Sequence, residues 1–197
     1  MTRIWGRIAC RAAAALALLL VAAGPAWADG RAAGPLAGHL SLGYAQLMTA
    51  GAPGGSISFT AGVDLPLTQT VRIGADLGYD LLGSRSVERG SLGASVNYSA
   101  FETVLFAHWV PQHLGPLGRV SAGPMLMAAH ADLSAAAGGA GFSDLAVGET
   151  AGGVAGEATF ISRSASPVHL GLQLGARSAF LTRETWTLLS ARLTIHY

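Results

Sequence analysis

"VRIGADLGYDLL", Val71 to Leu82, divides by parity. Val71, Ile73, Ala75, Leu77, Tyr79 and Leu81 fall on one side of an extended chain. Arg72, Asp76 and Asp80 fall on the other, with Gly74 and Gly78 between them. Period two is the mark of a β-strand, because successive side chains leave it on opposite faces. A wholly apolar face needs a cover, and the cover is either a protein core or lipid.

The same division recurs. "SISFTAGVDL" sets Ile57, Phe59, Ala61, Val63 and Leu65 against Ser58, Thr60 and Asp64. "VHLGLQLGARSAF" sets Val168, Leu170, Leu172, Leu174 and Ala176 against His169, Gln173 and Arg177. A soluble, lipocalin-like barrel has this alternation too, with the phase reversed. It would have to cover its whole exterior with the second face. That face is too rich in Gly, Ser and Thr, and too poor in charge. Turned inward, its glycines suit a narrow interior and its charges can pair there. The apolar faces then meet hydrocarbon. A soluble periplasmic ligand-binding barrel stays as an alternative, told apart by the direction of Arg72 and Arg177.

Composition points the same way. Arg3, Arg7 and Arg11 followed by "AAAALALLLVAAG" and "AWA" have the form of a secretory signal cleaved after Ala28. Its apolar run is shorter than the ~20 residues a membrane helix needs. The remainder is 197 − 28 = 169 residues, with 9 Arg, 11 Asp plus Glu and no Lys, hence a net charge of −2. Nucleic acid finds no basic footprint there. Those 20 charged residues in 169 are about half the usual share of a soluble domain. Cys10 lies within the signal, so disulfides and cysteine metal sites are excluded from the rest.

The expected organisation is a signal at 1–28, a Gly/Pro linker at 29–37 and a barrel domain at 38–197. Eight period-two segments fill the last: 39–49, 56–65, 71–82, 95–110, 119–133, 152–162, 168–181 and 186–197. "GSRSVERG" and "SAAAGGAGFSDLAVGE" read as loops, the second the longest, with Phe142 near its tip. Nearest-neighbour connections and an even strand number suit an all-β, eight-stranded antiparallel up-and-down transmembrane barrel. Trp109 and Tyr197 are the expected interface aromatics.

With the signal, the eight segments and the closing "LTIHY", the chain resembles the small eight-stranded outer-membrane barrels of Gram-negative bacteria. The resemblance covers residues 38 to 197. It implies an outer-membrane location, lipid as surroundings and the barrel assembly machinery as a partner in biogenesis. Leu193, Ile195 and Tyr197 match the family's C-terminal assembly signal, although its usual last residue is Phe.

Chemistry is sparser. Arg72, Asp76, Glu102, Glu157, Arg177 and Arg192 fall on inward faces, and are expected to form a paired interior network, since unpaired buried charge is costly. An interior this narrow does not suit a standing pore. His39, His108, His113, His130, His169 and His196 show no metal-ligand spacing, so no metal or cofactor is assigned. The enzymatic alternative is an outer-leaflet lipid-modifying hydrolase, because the resemblance includes lipid A deacylases that use Ser, His and an acid. "HLS", His39 to Ser41, has that family's His–Ser spacing, but on the first strand. "HADLS" puts His130, Asp132 and Ser134 on one face. There His130 and Ser134 stand ~13 Å apart along the strand, too far for proton transfer. No catalytic residue is assigned. The function favoured is a non-enzymatic barrel, filled rather than porin-like, with a structural or loop-mediated role at the cell surface, for which the sequence names no partner.

Overall fold

A computed structural model describes residues 37–49, 54–90, 92–111, 117–137, 140–162 and 168–197. The expected signal, most of the linker, Cys10 and His113 lie outside the described residues, as does the side chain of Phe142. Eight antiparallel strands close into one ring in chain order. They are β1 (Ala37–Leu47), β2 (Ser56–Pro66), β3 (Val71–Arg89), β4 (Leu92–Trp109), β5 (Leu117–Ala137), β6 (Ala140–Ile161), β7 (His169–Phe180) and β8 (Thr185–His196). The ring closes by pairing β1 with β8, and Gly38 and Tyr197 exchange two backbone hydrogen bonds at the seam. Ala37 and Tyr197 therefore lie at one end, called here the terminus end. The β3–β4 and β5–β6 hairpins rise from the other.

The register fixes the girth. A walk from Ala37 through Asp64, Gly74 and Phe106, then Ala155, Arg177 and Leu188, returns to β1 at Leu47, ten residues on. With ordinary strand spacing, a stagger of ten over eight strands gives a tilt of about 40° and a backbone radius of roughly 8 Å. Side chains from opposite walls meet across such a barrel.

The apolar phase points outward. Leu42, Leu105, Leu126, Leu170, Leu193 and Val154 are all more than half exposed, and Leu193 reaches 73%. A continuous belt of this kind in water would be a very large apolar patch; against hydrocarbon it costs nothing. Arg177 and Arg192 point inward and are buried, opposite to the phase of a soluble barrel.

Two expectations fail. "GSRSVERG" is strand, since β3 and β4 stay paired up to Arg89 opposite Leu92. Gly90 follows at φ 63°, a backbone conformation that suits hairpin turns and glycine. "SAAAGGAGFSDLAVGE" is also mostly strand, because β5 and β6 pair up to Ala137 opposite Ala140. Both segments lie past the apolar belt, where neither face has to meet lipid, so the alternation that marks the other strands is lost there.

The interior is divided as well. Toward the hairpin end it is apolar: Leu47, Leu82, Met127, Trp186 and Leu188 pack with Ala45, Ala100 and Ala179. Toward the terminus end it is polar and charged.

Candidate functional site: the barrel interior and the hairpin sheet

The polar interior depends on glycine. A Cβ on Gly74 would strike His108 and Asp64, and one on Gly78 would strike Glu102. Each glycine on β3 thus leaves room for a long polar side chain from a neighbouring strand to lie flat on the wall.

Near the terminus end, Asp64 is central. Its Oδ2 accepts a hydrogen bond from Arg119 Nη1 at 2.6 Å, and its Oδ1 lies 2.9 Å from His108 Nε2. His108 Nδ1 is 2.6 Å from Ser121 Oγ, and His39 Nε2 is 3.2 Å from Asp76 Oδ2. All six of these residues are buried.

Further in, Arg177 pairs with both Glu102 and Glu157. Gln173 Nε2 donates to Glu157 Oε2 at 2.5 Å. Arg192 Nε donates to Ser58 Oγ at 2.6 Å, while its terminal nitrogens lie 3.4 Å from Glu157, 3.6 Å from Asp80 and 3.9 Å from Glu102. Neither carboxylate oxygen of Asp80 has a hydrogen bond among the described residues. Its charge is balanced at short range by Arg192.

Of the six residues expected in the network, the structure brings Glu102, Glu157, Arg177 and Arg192 into one cluster, and puts Asp76 on His39 in the other. Arg72 points inward but is only half-buried at the terminus end, and makes no ion pair or hydrogen bond among the described residues. Arg119 and the paired roles of Asp64, Asp80, His39 and His108 are absent from the sequence reading. Each sits on the inward parity of its strand, so parity was the available signal. Which of them meet is set by the closure of the ring. Leu193 and Ile195 face outward. Trp109 is exposed at the terminus end of β4, and the Tyr197 ring lies over Gly38 at the seam.

Ser121, His108 and Asp64 form a Ser–His–Asp chain that the spacing did not reveal. Its hydroxyl is 2% exposed within the barrel wall. A nucleophile has to reach a substrate, and this one reaches only its neighbours. At the hairpin end, the His130 ring lies against Gly148 of β6, and no Ser–His hydrogen bond joins it to Ser99, its cross-strand partner, or to Ser134.

The hairpins supply the second candidate. The β2–β3 ladder stops at Ser58 opposite Asp80, and the β6–β7 ladder begins at Gly153 opposite Ala179. Beyond those points β3, β4, β5 and β6 continue as a four-stranded sheet with two open edges. By parity its outer face carries Ser84, Ser86, Ser95, Asn97, Asp132 and Ser134. Its inner face carries Arg85, Val87, Ala94, Val96, Leu133, Val147 and Glu149; Val87 and Val147 are 58% and 60% exposed. Glu149 accepts hydrogen bonds from Thr182 N at 2.6 Å and Oγ1 at 2.7 Å, and Glu184 accepts from Thr49 and Trp186. The short loops are thereby drawn down over the apolar plug while the sheet stands clear.

No protein-family model matches this chain, and no curated protein matches it in sequence. Among solved structures, Neisserial surface protein A is similar at a TM-score of 0.53 and 13% identity, over 84% of this chain and 98% of that one. The attachment invasion locus protein Ail of Yersinia pestis, in complex with a heparin analogue, aligns at 0.48 and 11% identity, over 83% of this chain and 100% of that one. The N-terminal β-barrel domain of Pseudomonas aeruginosa OprF aligns at 0.43 and 10%, over 83% and 98%. Neisserial surface protein A is an eight-stranded outer-membrane β-barrel, and this chain has its fold: eight antiparallel up-and-down strands closed in a ring.

Proposed function

We propose that this chain is a non-enzymatic outer-membrane protein whose barrel is a filled pedestal and whose work is done at the cell surface by the hairpin sheet. In this reading residues 1–28 are removed on export, the barrel assembly machinery inserts the barrel with Leu193, Ile195 and Tyr197 as its signal, and lipid surrounds it. The terminus end faces the periplasm. The two clusters fill the lower lumen with paired charge, and the apolar plug closes the upper lumen.

The observation that carries the reading is the open edge of β6, Ala140 to Gly152, in a sheet held above the lipid belt. An open edge offers a row of unpaired backbone donors and acceptors to any extended segment. The β3 edge is blunted by a bulge at Leu81/Gly83 and by Arg85 and Glu88, which are ordinary protections against pairing. In sequence the charged residues of 140–152 are Asp144 and Glu149, and Glu149 is turned to Thr182. An extended polypeptide added to β6 would lie beside Val147 on the inner face.

The test has two stages. Cell fractionation should place the protein with outer membranes, running faster on gels unboiled than boiled. Protein in nanodiscs should then select extended sequences from a displayed random-peptide library. Their binding should protect the amides of 140–152 from exchange and be lost in Val147→Lys. Recovery in the soluble periplasmic fraction, or peptides that bind Val147→Lys equally well, would overturn the reading.

A further inference from the structure

Three histidines far apart in sequence stand side by side near the terminus end. His39 of β1 is in register with His196 of β8, and His196 with His169 of β7. Leu40, Ile195 and Leu170 hold the outward parity beside them, so all three rings project into the barrel. Adjacent Cα atoms in such a row are about 5 Å apart, and the His39 and His196 ring centroids stand 5.4 Å apart.

Two donor atoms are unspent, while His196 Nε2 lies 3.3 Å from Thr194 Oγ1. His39 is fully buried, yet its Nδ1 has no hydrogen-bond partner; the nearest carboxylate oxygen, Asp64 Oδ2, is 4.0 Å away. His169 Nδ1 is also buried and without a partner among the described residues. Leaving a buried ring nitrogen unpaired carries a desolvation cost that a bound cation would remove. The other nitrogen of His39, Nε2, lies 3.2 Å from Asp76 Oδ2. A carboxylate on the far nitrogen is the usual support of a metal-binding histidine, because it fixes the tautomer and aims the free lone pair. Arg119 Nη2 comes to 3.4 Å of the same atom, but its guanidinium is already held by Asp64 at 2.6 Å. Asp64 and Asp76 thus put two carboxylates beside the His39 ring, against the guanidinium of Arg119.

We propose that His39, His169 and His196 form a site for a first-row divalent transition cation, Zn²⁺ or Cu²⁺, entered from the terminus end of the barrel. Three imidazoles suit these borderline ions, and leave a fourth position for water. In the present arrangement no three such donors among the described residues converge on one point, and the His39 and His196 rings are stacked at 5.4 Å. Binding therefore turns the His196 ring away from the stack. His196 and His169 are half-buried at the open end, and the turn gives up the 3.3 Å contact of His196 with Thr194. The site lies at the opposite end from the hairpin sheet and stands or falls independently of it.

The experiment uses tag-free protein refolded in detergent, dialysed against ZnCl₂ and analysed for bound metal, with Cu²⁺ added in parallel for electron paramagnetic resonance. One ion per chain is expected, with nitrogen hyperfine splitting on copper. His169→Ala and His196→Ala should each weaken binding by about tenfold or more, while His130→Ala leaves it unchanged. His39 is left intact because its loss would strand Asp76. Both variants should keep the heat-modifiable gel shift, which separates lost binding from lost folding. Absence of bound metal in the unaltered protein, or affinities in both variants equal to it, would overturn the proposal.

Discussion

Arg192 and Leu193 are adjacent on β8 and face opposite solvents, so substitutions there should fail for different reasons. Arg192→Leu removes the hydrogen bond to Ser58 and the cation nearest Asp80, whose two carboxylate oxygens have no hydrogen bond. Glu157 and Glu102 keep Arg177, so Asp80 bears most of the loss. Breaking a buried pair by removing one partner costs ~3–5 kcal/mol, and this site is 1% exposed. Leu193→Arg leaves the interior intact and puts a charge on the outward apolar belt, where the side chain is 73% exposed. Leu193 is four residues from Tyr197, roughly 10 Å along the barrel axis at a 40° tilt. That is well inside the lipid band but short of its midplane, where arginine costs ~2–4 kcal/mol. The expected loss is therefore roughly 1–3 kcal/mol. Urea unfolding of protein refolded in lipid vesicles would measure both. The cycle with Asp80→Asn isolates the pair, since the double variant should recover much of what Arg192→Leu loses. A loss below about 1 kcal/mol for Arg192→Leu, the level of an exposed ion pair, with no recovery in the double variant, would refute the assignment.

Planar-bilayer recordings of the purified protein should show no steady porin-like conductance, because the charged clusters and the apolar plug occupy the lumen; large stable channels would refute that filling. Gly78→Leu should prevent refolding, judged by loss of the unboiled gel shift, since any Cβ there collides with Glu102. Gly93→Leu, where a Cβ meets nothing within 4 Å, should refold normally.

How far did parity carry? "VRIGADLGYDLL" and its counterparts were enough for eight strands and their inward and outward faces, because the apolar belt forces every strand that crosses it to be apolar on one side. The same parity put Glu102, Glu157, Arg177 and Arg192 inside. It was silent wherever that force stops. The tips of the β3–β4 and β5–β6 hairpins read as loops, for a strand standing in water has no obligatory apolar face. The pairing of one charged residue with another was equally hidden. Arg192 is 134 residues from Ser58, and Arg119 is 55 from Asp64. A stagger of ten residues around the ring decides those meetings, and no single segment contains it. It also decides that His39, His169 and His196, which share no spacing in the chain, stand in one row. Local alternation is a property of each strand facing its solvent; the partners inside are a property of the closed ring.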